Sequence, residues 1–347
     1  MKKIANVGVD YHLNSLSIAV LAAGEKDFHQ TIHSKNDDRL IAKYLKKLSK
    51  TFELRICYEA CSSGYDFQRK LNDWGYHCDV IAPSLIPKKP GDRRKNYFRD
   101  ARNLAQHYAN GKLTVVHPPT EEEESVRKLI RCRLEFKKDA KRTKHRINSF
   151  LLTQGYRWKK STWTKQHRWW LSKLEMPYEY LQKVLDEHLG HLEYLASRIQ
   201  HLDEQIKQIA RSELYAPSVK KLCAFKGIGT LTAMLLIAEI TDFRRFPTPR
   251  ALMAFLGFIP SEKSSGDRRK DGSITKAGNA RCRTSIVEAV QHYVKKPYIS
   301  LHCMYRLHKR FWALSMKGKI RPVAITAVAR EFVGFIWAMM RPELVEA

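Results

Sequence analysis

Residues 1–120 alternate between short extended patterns and amphipathic ones. Ile4–Val9 and Ser15–Ala22 are β-branched, apolar runs parted by a polar turn, which predicts a hairpin. Arg55–Tyr58 and His77–Ala82 read as short buried strands. Between them Phe67, Leu71 and Trp74 share one face of a helix over Gly64–Trp74. A helix is predicted over Asp100–Ala109, then an extended segment, Leu113–His117, stopped by Pro118 and Pro119. Strands interleaved with helices predict an α/β domain with a mixed sheet.

The pattern changes after residue 120. Glu121–Glu124 open a long helix where the positive end of its dipole favours acids. From Arg127 to Arg146 that helix is densely basic, and Arg157–Trp170 interleaves cations with Trp158, Trp163, Trp169 and Trp170. Those rings suit either stacking on unpaired bases or core packing. Leu192, Leu195, Ile199, Leu202, Ile206 and Ile209 recur at alternating spacings of three and four, an a/d seam that needs a partner helix. The 121–153 helix of the same chain or a second subunit can cover it. From Pro217 onward the sequence reads as compact and helical, ending in the apolar stretch Val323–Met340.

Charge alters this picture most. Lys and Arg number 63 against 35 Asp and Glu, a formal +28. Such a surplus repels itself unless a polyanion neutralises it. Nucleic acid fits best, because phosphate contacts release condensed counterions; a ribosomal-type or membrane-surface protein is the alternative. The seven cysteines are odd in number and form no CxxC pair, which argues against zinc and disulfide frameworks. Reduced thiols in a cytoplasmic protein are the expectation. Asp10, His12 and Asn14 interrupt the apolar N-terminal stretch, so it does not read as a signal peptide. No run of about 18 apolar residues suggests a membrane span.

Two constellations carry candidate chemistry. Asp10 ends the first strand, Glu59 ends the strand Arg55–Tyr58, and Asp100 begins a helix. Carboxylates at adjacent strand ends, joined by one from a helix, can converge on Mg²⁺, which takes hard oxygen ligands and serves phosphoryl chemistry. Each acid taken alone reads as a polar cap or turn residue; it is their joint placement at element ends that raises the metal reading. The second constellation is LMAFLGFIPSEKSSGDRRKDGSITKAGNARCR, residues 252–283. Ser264 and Ser265 precede Gly266 in a turn thick with Arg268, Arg269 and Lys270; Gly272, Lys276, Gly278, Asn279 and Arg281 follow. A serine attacks phosphate when a base takes its proton or cations stabilise the developing charge. The other reading is a phosphate-binding loop whose serines bond the backbone. Upstream, Gly227-Ile228-Gly229 resembles a helix-hairpin-helix turn whose N–H groups grip a phosphate, or a tight interhelical turn.

These residues carry a family resemblance. Asp10 at its strand end, Glu59 in ICYEACSSGYDFQRKL, and IAPSLIPKKPGDRRKNYFRDARNLAQHYANGKLTVVHPP look like the N-terminal domain of the bridge-RNA-guided insertion-sequence recombinases. Piv-type site-specific invertases are relatives of that family. The resemblance implies a ribonuclease-H-like (RuvC-type) domain with a DEDD set of carboxylates. The family's last two aspartates lie three residues apart in a motif similar to KTDRRDA. Here the stretch is Lys95-Asn96-Tyr97-Phe98-Arg99-Asp100-Ala101: Asp100 matches the final acid, and Tyr97 replaces the one before it. Asp92 is a candidate substitute. Residues 260–283 fit the family's C-terminal motif, similar to PxxxSSGxxRxxGxITKxGNxxxR. In the family a serine here is the DNA nucleophile, which carries over to Ser265, with Ser264 in reserve.

The expectation is therefore an α/β ribonuclease-H-like N-terminal domain over 1–120, a long helical coiled-coil linker over 121–215, and a small, mainly α-helical serine domain over 216–347. Asp10, Glu59 and Asp100 are expected to hold Mg²⁺. Arg268, Arg269, Lys270, Lys276, Asn279, Arg281, Gly227 and Gly229 are expected to bind nucleic acid. The resemblance implies DNA and a structured guide RNA as partners, and a homo-oligomer, dimer or tetramer, away from membranes. The rival expectations are a metal-dependent nuclease or junction resolvase using the acids alone, and a decayed nucleic-acid-binding copy, which the Tyr97 replacement suggests.

Overall fold

The computed structural model describes residues 2–60, 64–87, 97–265, 268–294 and 302–341, with backbone alone at 84, 263–271 and 302. Two compact units emerge, Met1–Pro119 and Thr120–Ala347.

In the first unit, β1 (Lys3–Tyr11), β2 (Ser15–Ala22) and β3 (Gln30–Lys35) form an antiparallel meander. On the other side of β1, β4 (Phe52–Glu59) and β5 (Cys78–Ile81) add in parallel, and the short β6 (Val115–Val116) closes the edge. The order is β3-β2-β1-β4-β5-β6. Strand residues alternate between faces, and both faces of β1 are covered. Val7 and Val9 pack with α1 (Asp38–Thr51) and α2 (Asp66–Asp73) through Leu45 and Phe67. Ala19 and Leu21 of β2 meet α3 (Tyr97–Ala109) on the opposite face. Helix α1 starts where the Asp37 carboxylate accepts the N–H groups of Arg39 and Leu40, a strong N-cap. The predicted strands and helices of this half are present, and β3 and α1 are additions.

The second unit opens with α4 (Glu121–Thr153), seeded by a capping box: the Thr120 hydroxyl accepts from the Glu123 N–H while the Glu123 carboxylate accepts from the Thr120 N–H. After α5 (Lys165–Ser172), α6 (Glu179–Ile209) returns antiparallel to α4. Leu185 meets Ile147 and Leu151 at one end, and Ile206 shares a core with Val126 and Ile130 at the other. Arg133 bonds Asp203 between them. The a/d seam thus finds its partner in the same chain: Leu195, Leu202 and Ile206 are buried. That core continues without a break into α7 (Ala216–Cys223), α8 (Thr230–Ile240), α9 (Pro249–Phe255), α10 (Ala280–Val290), α11 (His302–Met316) and α12 (Arg321–Met340). The expected boundary at 215/216 therefore falls inside one compact unit, because the end of α6 and the helices after it bury the same apolar surface.

Two further features go beyond the expectation. Within the mainly helical C-terminal part, β7 (Pro260–Ser265) and β8 (Arg268–Ile274) pair as a two-stranded antiparallel ladder. Among the described residues, α12 is long and apolar enough to cross a membrane. Here it buries Ala324, Val328, Phe332 and Ile336, with Phe332 edge-on to Phe225.

Candidate functional site

The acid pair depends on a glycine. Gly8 and Asp10 point to the same face of β1, where α3 crosses. A Cβ on Gly8 would lie 2.3 Å from the Ala101 carbonyl oxygen and 2.4 Å from the Ala105 nitrogen. Its absence lets α3 rest on the strand and brings Asp100, one residue before Ala101, within electrostatic reach of Asp10. Burial pushes the Asp10 carboxyl above the usual range; His12 opposes the rise and the charge of Asp100 adds to it. The His12 Nε2 lies 3.3 Å from Asp10 Oδ2. Glu59 is level with Asp10 at the C-terminal ends of the two central strands, because Val9 pairs with Tyr58 in the parallel β1–β4 register.

The arrangement is looser than the trio expected from the sequence. Among the described residues, no group of three or more His, Cys, Asp or Glu is placed to hold a metal ion. A hard cation that retains several waters needs only one or two carboxylates, and Asp10 and Asp100 are the neighbouring pair here. Tyr97, at the position of the missing acid, sets its ring edge-on to His12 at 5.4 Å and stacked on His33 at 5.8 Å. The His33 Nδ1 in turn lies 2.9 Å from the Ser17 hydroxyl. These imidazoles belong to no motif, so sequence reasoning misses them as site residues; the signal for His12 is its place two residues after Asp10. Asp92 lies outside the described residues.

The candidate serines end β7. Register pairs Ser264 with Arg269 and Ser265 with Arg268. The side chains of Ser264, Ser265, Arg268, Arg269 and Lys270, and the whole of Gly266, lie outside the described residues. The base of the hairpin is tightly built. A Cβ on Gly272 would meet the Ser261 hydroxyl at 2.4 Å, and one on Gly278 would meet the Phe255 carbonyl at 2.3 Å. Lys276 adopts a left-handed backbone, φ 55°.

A buried carboxylate anchors the segment that follows. The Glu239 side chain, 1% exposed, accepts two bonds from Arg131, at 2.7 and 2.8 Å, and one from the Asn279 amide at 2.7 Å. Burial alone would raise the Glu239 pKa, but Arg131, Asn279 and Arg281 together hold it below the usual carboxylate range. The Asn279 side-chain oxygen, Oδ1, caps α10 by accepting from the N–H groups of Arg281 and Cys282. Asn279 and Arg281, expected on nucleic acid, thus have tasks inside the protein. The lone acid in LLIAEITDF is the sequence signal for Glu239: a charge within an apolar helix needs a partner.

Gly227, at φ 87°, sits where a Cβ would strike the Ala289 carbonyl at 2.5 Å, so close packing on α10 accounts for it. Gly229 is different. It precedes α8 with open space around it and caps that helix without a side chain, leaving its first N–H groups available. Of the four tryptophans, Trp158, Trp163 and Trp170 pack around buried His167, with ring centroids 5.4, 5.2 and 5.7 Å from it. The Trp163 backbone N–H donates to His167 Nδ1 at 3.0 Å. Trp169 alone of the four is strongly exposed, at 67%.

An α/β unit with paired acids at a strand end, followed by a basic helical unit bearing a serine hairpin, defines a nucleic-acid-processing enzyme. Relatives give the family. Residues 219–302 match the model of the IS116/IS110/IS902 transposase family, and residues 7–155 match the DEDD-type IS110 transposase model. The protein y4qE of Sinorhizobium fredii, classed as a transposase, is 33% identical over 97% of this chain and 88% of its own. The transposase for insertion sequence element IS1533 of Leptospira borgpetersenii is 32% identical over 74% of this chain and 75% of its own. The transposase for IS1111A of Coxiella burnetii is 22% identical over 98% and 90%. The chain belongs to the IS110/IS116 family of insertion-sequence transposases and is an enzyme of DNA transposition.

Proposed function

We propose that this transposase cuts and rejoins DNA through a covalent intermediate on Ser265, with Ser264 the alternative, and that Asp10, Glu59 and Asp100 hold Mg²⁺ for the reaction. The observation that carries the reading is the β7–β8 register, which sets an arginine position across the ladder from each serine. Guanidinium groups there suit the charge that develops on an attacked phosphate. The serine Oγ forms a new ester to phosphorus as one DNA P–O ester bond breaks. The departing DNA oxygen takes up a proton. Attack by an incoming DNA hydroxyl then reverses the step, so the bond energy is kept and ATP is not needed. A divalent cation at the acids would supply positive charge toward a phosphate. The acidic tag of the family model that matches 7–155 points to such a metal.

The mixed sheet with helices on both faces supports the ribonuclease-H-like, RuvC-type reading of the first unit. The +28 charge supports a polyanionic partner, and the same reading includes a structured guide RNA and a homo-oligomer, dimer or tetramer. Incubating the full chain with guide RNA and nicked DNA, then resolving products under denaturing conditions, tests the nucleophile. A protein–DNA adduct lost in Ser265→Ala and mapped to Ser265 is expected. An adduct that persists in Ser265→Ala and vanishes in Ser264→Ala moves the nucleophile one residue. Cleavage without adduct in both variants supports the metal-dependent nuclease or junction resolvase, which the Asp10–Asp100 approach favours. Tyr97 favours a decayed copy; Mg²⁺ titration of the full chain and of Tyr97→Asp, with no binding in either, would establish it.

A further inference from the structure

The second unit contains a cavity of 580 Å³ lined by residues of β8, α9, α11 and α12. Its volume lies in the range of pockets that take one small ligand, about 300–1,000 Å³, and is far too small for a duplex. Met253, Ile274 and Ala327 give it an apolar floor with Val323 at its exposed edge, while Arg250, Lys276 and Arg330 bring cations to it. The acid on its wall, Glu331, is occupied by Arg306 at 2.6 Å, so positive charge dominates. Val323 remains 49% exposed, an uncovered apolar surface beside charged neighbours.

Strain marks the same place. Lys276 holds a left-handed backbone that side chains with a Cβ disfavour. Its N–H is fixed to the Gly257 carbonyl at 3.2 Å. Gly257 and Gly278 abut, since a Cβ on Gly278 would lie 2.7 Å from the Gly257 nitrogen. That hydrogen bond and the close glycines hold the loop in this shape. Such over-determined strain gathers at ligand clamps.

Position supplies the occupant. Ile274 on the cavity wall pairs with Pro260, and Ser264 lies further along the same strand. At about 3.3 Å per residue Ser265, one residue beyond Ser264, is roughly 16 Å from that pair and Ser264 roughly 13 Å, about four or five nucleotides at about 3.4 Å per step. We infer that this cavity receives one base, unstacked from DNA a few nucleotides from the scissile phosphate. The base rests on the apolar floor, and its flanking phosphates meet Arg250, Lys276 and Arg330. Enzymes that act on DNA accept such extrahelical bases in pockets at a cost recovered by stacking and phosphate contacts. The inference rests on the DNA-cutting reading above.

The test uses the full chain with guide RNA at fixed salt and two duplexes of one sequence, one fully paired and one with a single unpaired 2-aminopurine. Expected is about tenfold tighter binding of the bulged duplex, the worth of stacking one base, with quenched 2-aminopurine fluorescence. Val323→Trp, which fills the cavity from its exposed edge, removes the gain and leaves paired-duplex binding unchanged. Lys276→Gln, without added bulk, weakens bulged-duplex binding more than paired-duplex binding and so shrinks the gain, should Val323→Trp melt early. Equal binding of the two duplexes, or a gain that survives both substitutions, overturns the inference. A gain confined to a bulged RNA duplex overturns the assignment to DNA. Failure to bind even the paired duplex overturns the DNA-cutting reading itself.

Discussion

A single missing methyl group governs the acid pair. Gly8 lets the backbone of α3 touch β1, and backbone atoms cannot swing aside as a flexible side chain would. Gly8→Ala is expected to push α3 outward, separate Asp100 from Asp10 and lower stability by about 1–3 kcal/mol, the usual cost of overpacking. Denaturant unfolding reads the stability. Mg²⁺ titration beside Asp100→Asn reads the site: similar weakening in both variants is expected, and unchanged binding in Gly8→Ala would detach the acids from the helix packing. Little of this is visible in the sequence. Asp10, Glu59 and Asp100 can be picked out by their places at element ends, but Gly8 reads as an ordinary strand residue until the helix over it is known. Asn279 shows the converse. Its place in a basic, glycine-containing motif suggests DNA, whereas its amide is drawn inward by a carboxylate far away in sequence.

Among the elements, α8 and α10 are tied by the Glu239 cluster to α4. Removing one member of a buried ion pair leaves the other charge unpaired and costs about 3–5 kcal/mol. Arg131→Met strands the nearly inaccessible Glu239 carboxylate and is expected near that cost. Glu239→Gln keeps an acceptor for Asn279 and leaves Arg131 partly in water, so it should cost less; unfolding curves decide the order. The sign with pH follows. The folded pKa of Glu239 lies below the ordinary 4.5. Its contribution is thus complete above about pH 4.5 and disappears as pH falls through the depressed folded value. Glu239→Gln should flatten this acid limb. Element patterns are readable where apolar spacing is regular, as in the hairpin β1–β2 and the a/d seam of α6. The signals for α1, Asp37 followed by Ile41, Leu45 and Leu48, are present too. Strands β7 and β8 are hidden because their residues are mostly charged or hydroxylic, so period-two alternation of apolar residues, the usual mark of a strand, is missing.

For the whole molecule, the +28 charge sets how binding responds to salt. The logarithm of DNA affinity should fall linearly with the logarithm of salt concentration. Replacing Arg268, Arg269 and Lys270 together with Gln should shrink the slope by about 3, near 0.9 for each phosphate no longer neutralised. Equilibrium binding across a salt series measures it, and an unchanged slope would mean the hairpin meets no phosphate. Charge and motif announce the partner from the sequence, and the division at Pro119 falls beside the boundary expected at 120; the one expected at 215/216 falls inside a single unit, because the end of α6 and the later helices bury the same apolar surface. The joint at Pro119 has a consequence of its own. The Pro119 carbonyl is held by Arg69 at 3.1 Å, and Thr120 caps its helix with its own neighbour, Glu123. The last carbonyl of the first unit and the first N–H of the second are thus each satisfied from within their own unit, so a cut or splice between Pro119 and Thr120 would orphan neither group.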